Sequence, residues 1–373
     1  MTTIAIISNQ AFSLINFRGP LIQSLVQKGV SVIALAPDYD EISRQRISDL
    51  GATPADCNFD RVGMNPVRDV VNTLKLAFQL RRLRPDVTLA YFIKPVIFGT
   101  FAAWLARVPK RIAMIEGLGF VFTDSGDSTS VKRKALRYCA SFLYRRALKR
   151  AEKVIFLNRD DLQQFVEEKL VGREKSVCLG GIGVDLVEWP IAPPVVQPVT
   201  FLLAARLLRE KGIVEYVNAA RRVKQLYPQS RFILLGGLDP NPGGLSQAEV
   251  ESWGQEEIIE WPGHVTVPPW LEQTSVYVLP SYREGVPRST QEAMAMARPV
   301  ITTDAPGCRE TVIDGQNGFL IPVRDEKSLA EKMKVFIENP SLIETMGLAS
   351  RRLAEERFDV HQINKVIMQI LKI

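Results

Sequence analysis

Ser275-Val-Tyr-Val-Leu279, Pro280-Ser-Tyr-Arg-Glu-Gly-Val-Pro-Arg288 and Ser289-Thr-Gln-Glu-Ala-Met-Ala-Met-Ala297 follow one another directly: a short apolar run, a loop, and a helical stretch. Runs of this kind are apolar at nearly every position rather than at alternate ones, as a parallel strand covered on both faces requires. Strand, loop and helix repeated in that order imply an open, doubly wound sheet.

The same grammar extends outward in both directions. Upstream, residues 4–8, 31–36, 53–57, 86–92, 111–115, 153–157 and 176–179 are expected strands, with amphipathic helices such as 18–28 and 66–82 between them. The pattern then breaks at Gly180, Gly181 and Gly183 and at the proline- and valine-rich stretch 190–199. It restarts with expected strands at 200–204, 231–235, 257–261, 275–279, 300–303 and 318–321, and closes on helices at 327–338, 341–357 and 360–372. The fold class is therefore α/β, with two Rossmann-like parallel-sheet domains facing a cleft. The expected divisions are 1–185, a linker at 186–199, 200–357, and a C-terminal helix at 358–373 crossing back to the first domain. Ligands of such sheets sit at the carboxyl ends of the strands.

Composition narrows the classes. With 373 residues, 46% hydrophobic and 24% charged, the chain is globular with an ample core, not disordered, collagen-like or disulfide-rich. The longest apolar stretch, 89–108, is interrupted by Lys94, Pro95 and Arg107 and reads as a strand and helix rather than a membrane span. No basic residue precedes Arg18, so a secretory leader is not expected. Cys57, Cys139, Cys178 and Cys308 lie far apart, as reduced thiols of a cytoplasmic protein would. The net charge of +6 is uneven: residues 1–190 carry +8 and the remainder −2. Nine cations and a single acid, Glu152, lie from Lys132 to Lys153, with Tyr138, Phe142 and Tyr144 interleaved. That segment suits either an anionic membrane surface or a helix packed on the sheet with a solvated basic face. No base-reading module accompanies it, so nucleic acid is not an expected partner.

The residues after the strands carry the chemistry. Glu284 lies on the loop after the 275–279 strand, and Glu292 falls eight residues later in the helix. Exposed N–H groups at that helix start suit a phosphate or sugar hydroxyls. Ser289-Thr-Gln-Glu292 also reads as a capping box, which would give Glu292 a purely structural task. After the 200–204 strand comes Ala204-Ala-Arg-Leu-Leu-Arg-Glu-Lys-Gly212. Arg206 and Lys211 are five apart across a strand-to-helix turn, so a planar fork and a point charge could close on one diphosphate. As merely solvated cations they would sit at the unfavourable end of a helix dipole.

Together these stretches, with Thr303-Asp-Ala-Pro-Gly-Cys-Arg-Glu-Thr311, Gly183-Val-Asp185 and Gly315-Gln-Asn-Gly-Phe-Leu320, resemble the retaining nucleotide-sugar glycosyltransferases of family 4, which have the GT-B fold. The resemblance covers nearly the whole chain. It implies that Arg206 and Lys211 bind the donor diphosphate, Glu284 the sugar hydroxyls and Glu292 the ribose. Gly285 and Val286 would then offer backbone donors, with Arg283 beside them. Tyr91-Phe-Ile-Lys-Pro-Val-Ile-Phe-Gly99, Glu116-Gly-Leu-Gly-Phe-Val-Phe-Thr123 and Gly236-Gly-Leu-Asp-Pro-Asn-Pro-Gly243 look like enzymes that extend polyprenyl-diphosphate-linked sugars in bacterial surface polysaccharide or glycan assembly. Lys94 and Glu116 follow expected strands, and Asn9 and Arg18 complete the substrate-binding candidates.

Many members of that family carry a histidine where this chain has Glu116; its only histidines are His264 and His361. Glu116 is accordingly a catalytic candidate beside Glu284, Arg206 and Lys211. No metal cluster is expected, and no cofactor beyond the donor, a UDP-sugar carrying an N-acetylhexosamine or hexose. Asp38-Tyr-Asp40 mimics a metal-binding aspartate pair but follows a second strand, where loop aspartates are routine. The expected location is cytoplasmic, peripheral on the inner face of the plasma membrane. Two other readings are an epimerase or hydrolase of the same fold, and a non-catalytic sugar-nucleotide-binding protein.

Overall fold

The computed structural model describes residues 1–59, 65–119, 122, 131–241 and 243–373, with the backbone alone for 131–133. The chain forms two compact units. Of the described residues, the first comprises those of 1–122, 131–182 and Val360–Ile373, and the second those of Gly183–Asp359.

In the first unit, β1 (Thr3–Ile7), β2 (Ser31–Ala36), β3 (Thr53–Asp56), β4 (Val87–Tyr91), β5 (Lys110–Ile115), β6 (Lys153–Phe156) and β7 (Ser176–Cys178) form one parallel sheet. Its order is β3-β2-β1-β4-β5-β6-β7, so strand order reverses between β1 and β4. Crossovers are made by α1 (Ala11–Gln27), α2 (Glu41–Asp49), α3 (Pro66–Leu83), α4 (Thr100–Leu105, entered through a π turn at Pro95–Gly99), α5 (Val131–Leu148) and α6 (Arg159–Glu167). Successive strand side chains point to opposite faces. Ile4 and Ile6 of β1 join a core with Leu14, Leu21 and Leu25 of α1, while Ala5 and Ile7 join another with Leu76 and Leu80 of α3. Both faces are covered, which is why these strands read as continuous apolar runs.

The second unit repeats the plan. Strands β8 (Thr200–Ala204), β9 (Arg231–Leu235), β10 (Glu260–Gly263), β11 (Val276–Leu279), β12 (Val300–Thr303) and β13 (Gly318–Ile321) lie in the order β10-β9-β8-β11-β12-β13. Their helices are α7 (Ile213–Leu226), α8 (Gln247–Gln255), α9 (Pro268–Glu272), α10 (Arg288–Ala295), α11 (Glu326–Glu338) and α12 (Ser341–Arg357). A last helix, α13 (Val360–Leu371), returns to the first unit and buries Ile363, Ile367, Met368 and Leu371 in the core shared with α1. The fold is α/β throughout. The second sheet reverses order between β8 and β11, which is where a crevice opens at the carboxyl ends of a doubly wound sheet.

Candidate functional site

Three loops of the second unit meet at that reversal: 205–212 after β8, 280–287 after β11 and 304–308 after β12. The first tightens into a 3-10 turn, Arg209–Lys211, before Gly212 opens α7 in the left-handed region (φ 71°). Lys211 Nζ lies 2.5 Å from Glu284 Oε1, and both side chains are largely buried. The backbone fixes this pair from two sides. Tyr282 N–H donates to the Glu210 carbonyl at 2.9 Å, and Glu284 N–H donates to the Pro306 carbonyl at 3.0 Å. A Cβ on Gly212 would stand 2.1 Å from the Pro280 carbonyl oxygen, and one on Gly307 (φ 76°) 2.1 Å from that of Glu284. Glycine is therefore required for the loops to close on each other. Gly307→Ala is expected to push the Glu284 loop away from Lys211 and to destabilise the second unit by roughly 1–3 kcal/mol, since the new strain falls on the pair itself. Urea unfolding checks this.

Arg206 Nη1 pairs with Asp239 Oδ2 at 2.8 Å; the arginine is half exposed and the aspartate almost fully buried. Burial alone would raise the Asp239 carboxyl, but the Asn241 N–H at 3.0 Å and the Arg206 charge outweigh it and hold the group below its usual value. The stretch 236–243 thus anchors Arg206; of its residues, Pro242 lies outside those described. Asp239 was not among the sequence candidates. Its signal was an aspartate just beyond the β9 end, next to the strand that delivers Arg206.

The capping box at 289–292, the alternative reading of Glu292, does not form. α10 starts one residue earlier, at Arg288, its N-cap Pro287 has no side-chain acceptor, and Glu292 falls in the second turn. Glu292 instead accepts from Arg288 Nε at 2.8 Å, one helical turn away. Burial raises the Glu292 carboxyl above the ordinary 4.5, while Arg288 offsets part of the rise. Gln291, fully buried, accepts the Gly183 N–H at 3.0 Å and donates to the Val286 carbonyl at 3.2 Å. The glycine turn at 183–185 is thereby tied to the candidate loop. Gly285 and Val286 are buried and Arg283 is partly buried beside Glu284.

In the first unit, Asn9, Lys94 and Glu116 follow β1, β4 and β5, which are adjacent in the sheet. Arg18, on α1, is buried and ion-paired with Glu116, its guanidinium 4.7 Å above the Tyr91 ring. Tyr91, Ser13 and Ser8 continue this network through 2.8 Å hydroxyl contacts. Arg18 is thus paired with Glu116 inside the protein and does not reach the surface. Lys94 Nζ lies 3.0 Å from Asp69 of α3, with little exposure on either side chain. Asn9 Oδ1 is buried and has no hydrogen-bond partner among the described residues. The Asp38 and Asp40 carboxylates each receive a helix start: Asp38 accepts the Ala11 N–H at 2.6 Å, and Asp40 the Ser43 N–H at 2.8 Å. Among the described residues no cluster of three or more His, Cys, Asp or Glu side chains is placed to hold a metal. In the motif at 116–123, residues 120, 121 and 123 lie outside those described, as do the side chains of Lys132 and Arg133 in the basic segment. The rest of that segment, α5, buries Tyr144, Ala147 and Leu148, exposes Tyr138 and Phe142, and pairs Arg137 with Glu168 at 2.7 Å.

Residues 18–180 match a family described as "Glycosyl transferase 4-like domain", and residues 198–339 one described as "Glycosyl transferases group 1". A Campylobacter jejuni protein, N,N'-diacetylbacillosaminyl-diphospho-undecaprenol alpha-1,3-N-acetylgalactosaminyltransferase, is 28% identical over 352 residues, spanning 91% of this chain and 90% of its own. Among solved structures, sucrose-phosphate synthase from Thermosynechococcus elongatus superposes with a TM-score of 0.80 at 18% identity, over 100% of this chain and 98% of its own. Anabaena HepE in complex with UDP and glucose gives 0.77 at 18% identity over the full length of both chains. These likenesses identify the fold as GT-B.

Proposed function

This chain belongs to the glycosyltransferases that join a 4-like domain to a group 1 domain in the GT-B fold, and from that premise we propose that it moves an N-acetylhexosamine or hexose from a UDP-sugar to a polyprenyl-diphosphate-linked saccharide, with retention at the anomeric carbon. The observation that carries the proposal is the Lys211–Glu284 contact with Arg206 on the same loop, at the carboxyl ends of β8 and β11. The name of the Campylobacter jejuni relative supports the acceptor class, and the UDP and glucose held by Anabaena HepE support the donor class.

In this reading Lys211 and Arg206 hold the donor diphosphate, Glu284 accepts hydrogen bonds from the sugar hydroxyls, and Glu292 from the ribose. Gly285 and Val286 present backbone N–H groups, and Arg283 adds charge beside them. The anomeric carbon–oxygen bond to phosphate breaks as the bond to the acceptor oxygen forms on the same face. The acceptor proton passes to the departing phosphate oxygen, so no side-chain base is needed. Glu116, held by Arg18, orients the acceptor together with Lys94 and Asn9. Because two cations supply the leaving-group charge, turnover is expected to survive chelation of divalent ions by EDTA. The basic segment 132–153 would meet an anionic surface on the inner face of the plasma membrane; among the described residues no helix is long and apolar enough to cross one.

The direct test offers a panel of nucleotide sugars with a polyprenyl-diphosphate monosaccharide and reads product mass and anomeric configuration. Donor consumption without acceptor, or no product with any UDP-sugar, would defeat the proposal. A second test uses Glu292. Its raised carboxyl accepts from both ribose hydroxyls most strongly when ionised, so UDP affinity should fall with decreasing pH, beginning above the ordinary glutamate value of 4.5. Glu292→Gln should lower UDP affinity roughly tenfold at neutral pH, and its pH profile should lack that component.

A further inference from the structure

The outer face of α3 is the most apolar exposed surface on any described helix. Val67, Val70, Val71, Leu74 and Phe78 are each between 44% and 75% exposed. They recur at spacings of three and four, one stripe along the helix. The opposite side of α3, with Leu76, Ala77 and Leu80, packs into the core, so among the described residues this second stripe has no task in the unit's own packing. Scattered surface hydrophobics are ordinary, but a contiguous stripe of five is not.

The charges around the stripe identify its partner. Arg68, Lys75, Arg81 and Arg82 are all exposed on α3, Arg82 lying over the Phe78 ring at 5.6 Å. The helix has one acid, Asp69, and that is buried against Lys94. Two copies packed through this face would set cations against cations, a costly arrangement. An apolar stripe flanked only by cations fits the boundary between acyl chains and anionic headgroups. On α4, which packs beside α3, Trp104 is also partly exposed, with Arg150 4.0 Å above its ring.

We propose that α3 lies in the membrane interface and inserts Val67, Val70, Val71, Leu74 and Phe78 among the lipids of an anionic bilayer, making α3 the apolar anchor of the chain. The proposal extends the lipid-surface setting given above and does not depend on the donor chemistry. Since Asp69 of α3 bonds Lys94, the same helix would tie the bilayer plane to a candidate acceptor residue.

The test is flotation of the full chain with phosphatidylglycerol/phosphatidylethanolamine vesicles and with pure phosphatidylcholine vesicles. Wild type should float with the anionic vesicles and only weakly with the neutral ones. Leu74→Asp/Phe78→Asp should lose roughly tenfold or more of that partition, because two apolar contacts are replaced by charges repelled from the leaflet. Both positions are exposed, so thermal melting and UDP affinity should match wild type; these also separate failure here from failure of the donor site. The comparison variant Arg146→Glu/Lys149→Glu reports on the basic segment of α5 and the turn after it. Undiminished flotation of the α3 variant, with loss only in the α5 variant, would overturn the proposal, as would a wild-type dimer that the α3 substitutions make monomeric.

Discussion

Lys211→Ala is expected to lower kcat by a hundred- to thousandfold while the protein remains folded. Preorganised donors that meet charge developing on a departing oxygen are worth roughly 2.7–4 kcal/mol each, and Lys211 stands among groups already fixed in place. Its ammonium is held 2.5 Å from Glu284, on a turn pinned to the 280–287 loop through the Tyr282 N–H and by the close approach at Gly212. Arg206→Ala should act in the same direction, leaving Asp239 as a buried carboxylate stripped of its cation. The two variants should nevertheless differ. In Lys211→Ala, Glu284 keeps its backbone anchor to Pro306, so the loop should hold its shape and UDP should still bind, though more weakly. In Arg206→Ala, Asp239 repels the diphosphate, so KM for the donor should rise along with the fall in kcat. Steady-state kinetics with the donor varied, beside UDP calorimetry and circular dichroism, reads each consequence. Full turnover in a folded Lys211→Ala enzyme would remove the lysine from the reaction.

Much of the fold was legible because burial on both sides of each sheet leaves an unambiguous mark. The strands at 31–36, 200–204, 231–235, 300–303 and 318–321 run over the residues expected for them. The failures have local causes. The 257–261 stretch is not a strand from its start, since Ile258 and Ile259 donate to the Trp253 carbonyl and finish α8, with Glu257 in the left-handed region. The first helix begins at Ala11 instead of residue 18, because Asp38, 27 positions away, takes its leading N–H. The same limit applies to the candidate site. Lys211 and Glu284 could each be nominated from the loop they occupy, but their direct contact across 73 residues could not. Nor could the partners Asp239 and Asp69, which are brought to Arg206 and Lys94 by strand order and helix packing, neither of which local spacing encodes.

Arg298→Met is expected to destabilise the second unit by roughly 3–5 kcal/mol, since each buried acceptor left without its donor costs about 1–3 kcal/mol and Arg298 serves more than one. Arg298 is fully buried, and all of its hydrogen bonds described here go to backbone carbonyls. Nε donates to Leu271 at 2.9 Å, Nη1 to Ala192 at 2.8 Å and Met296 at 3.1 Å, and Nη2 to Pro193 at 3.3 Å. Burial lowers the guanidinium to about 10, with Glu272 opposing, so it stays charged at neutral pH and each bond is charge-assisted. Arg298 thereby joins the proline-rich stretch expected as a linker to α9 and the end of α10. Arg351 adds a second tie, donating to the Trp189 carbonyl at 3.0 Å and the Ala295 carbonyl at 2.7 Å. Methionine fills much of the volume but satisfies none of the four carbonyls, whereas Arg298→Lys restores charge and reaches only some of them. Urea unfolding should therefore rank wild type above the lysine variant and the lysine variant above methionine. A methionine variant within about 1 kcal/mol of wild type would mean that water replaces the guanidinium at these carbonyls, and the 190–199 stretch would then be held by Arg351 and its own packing.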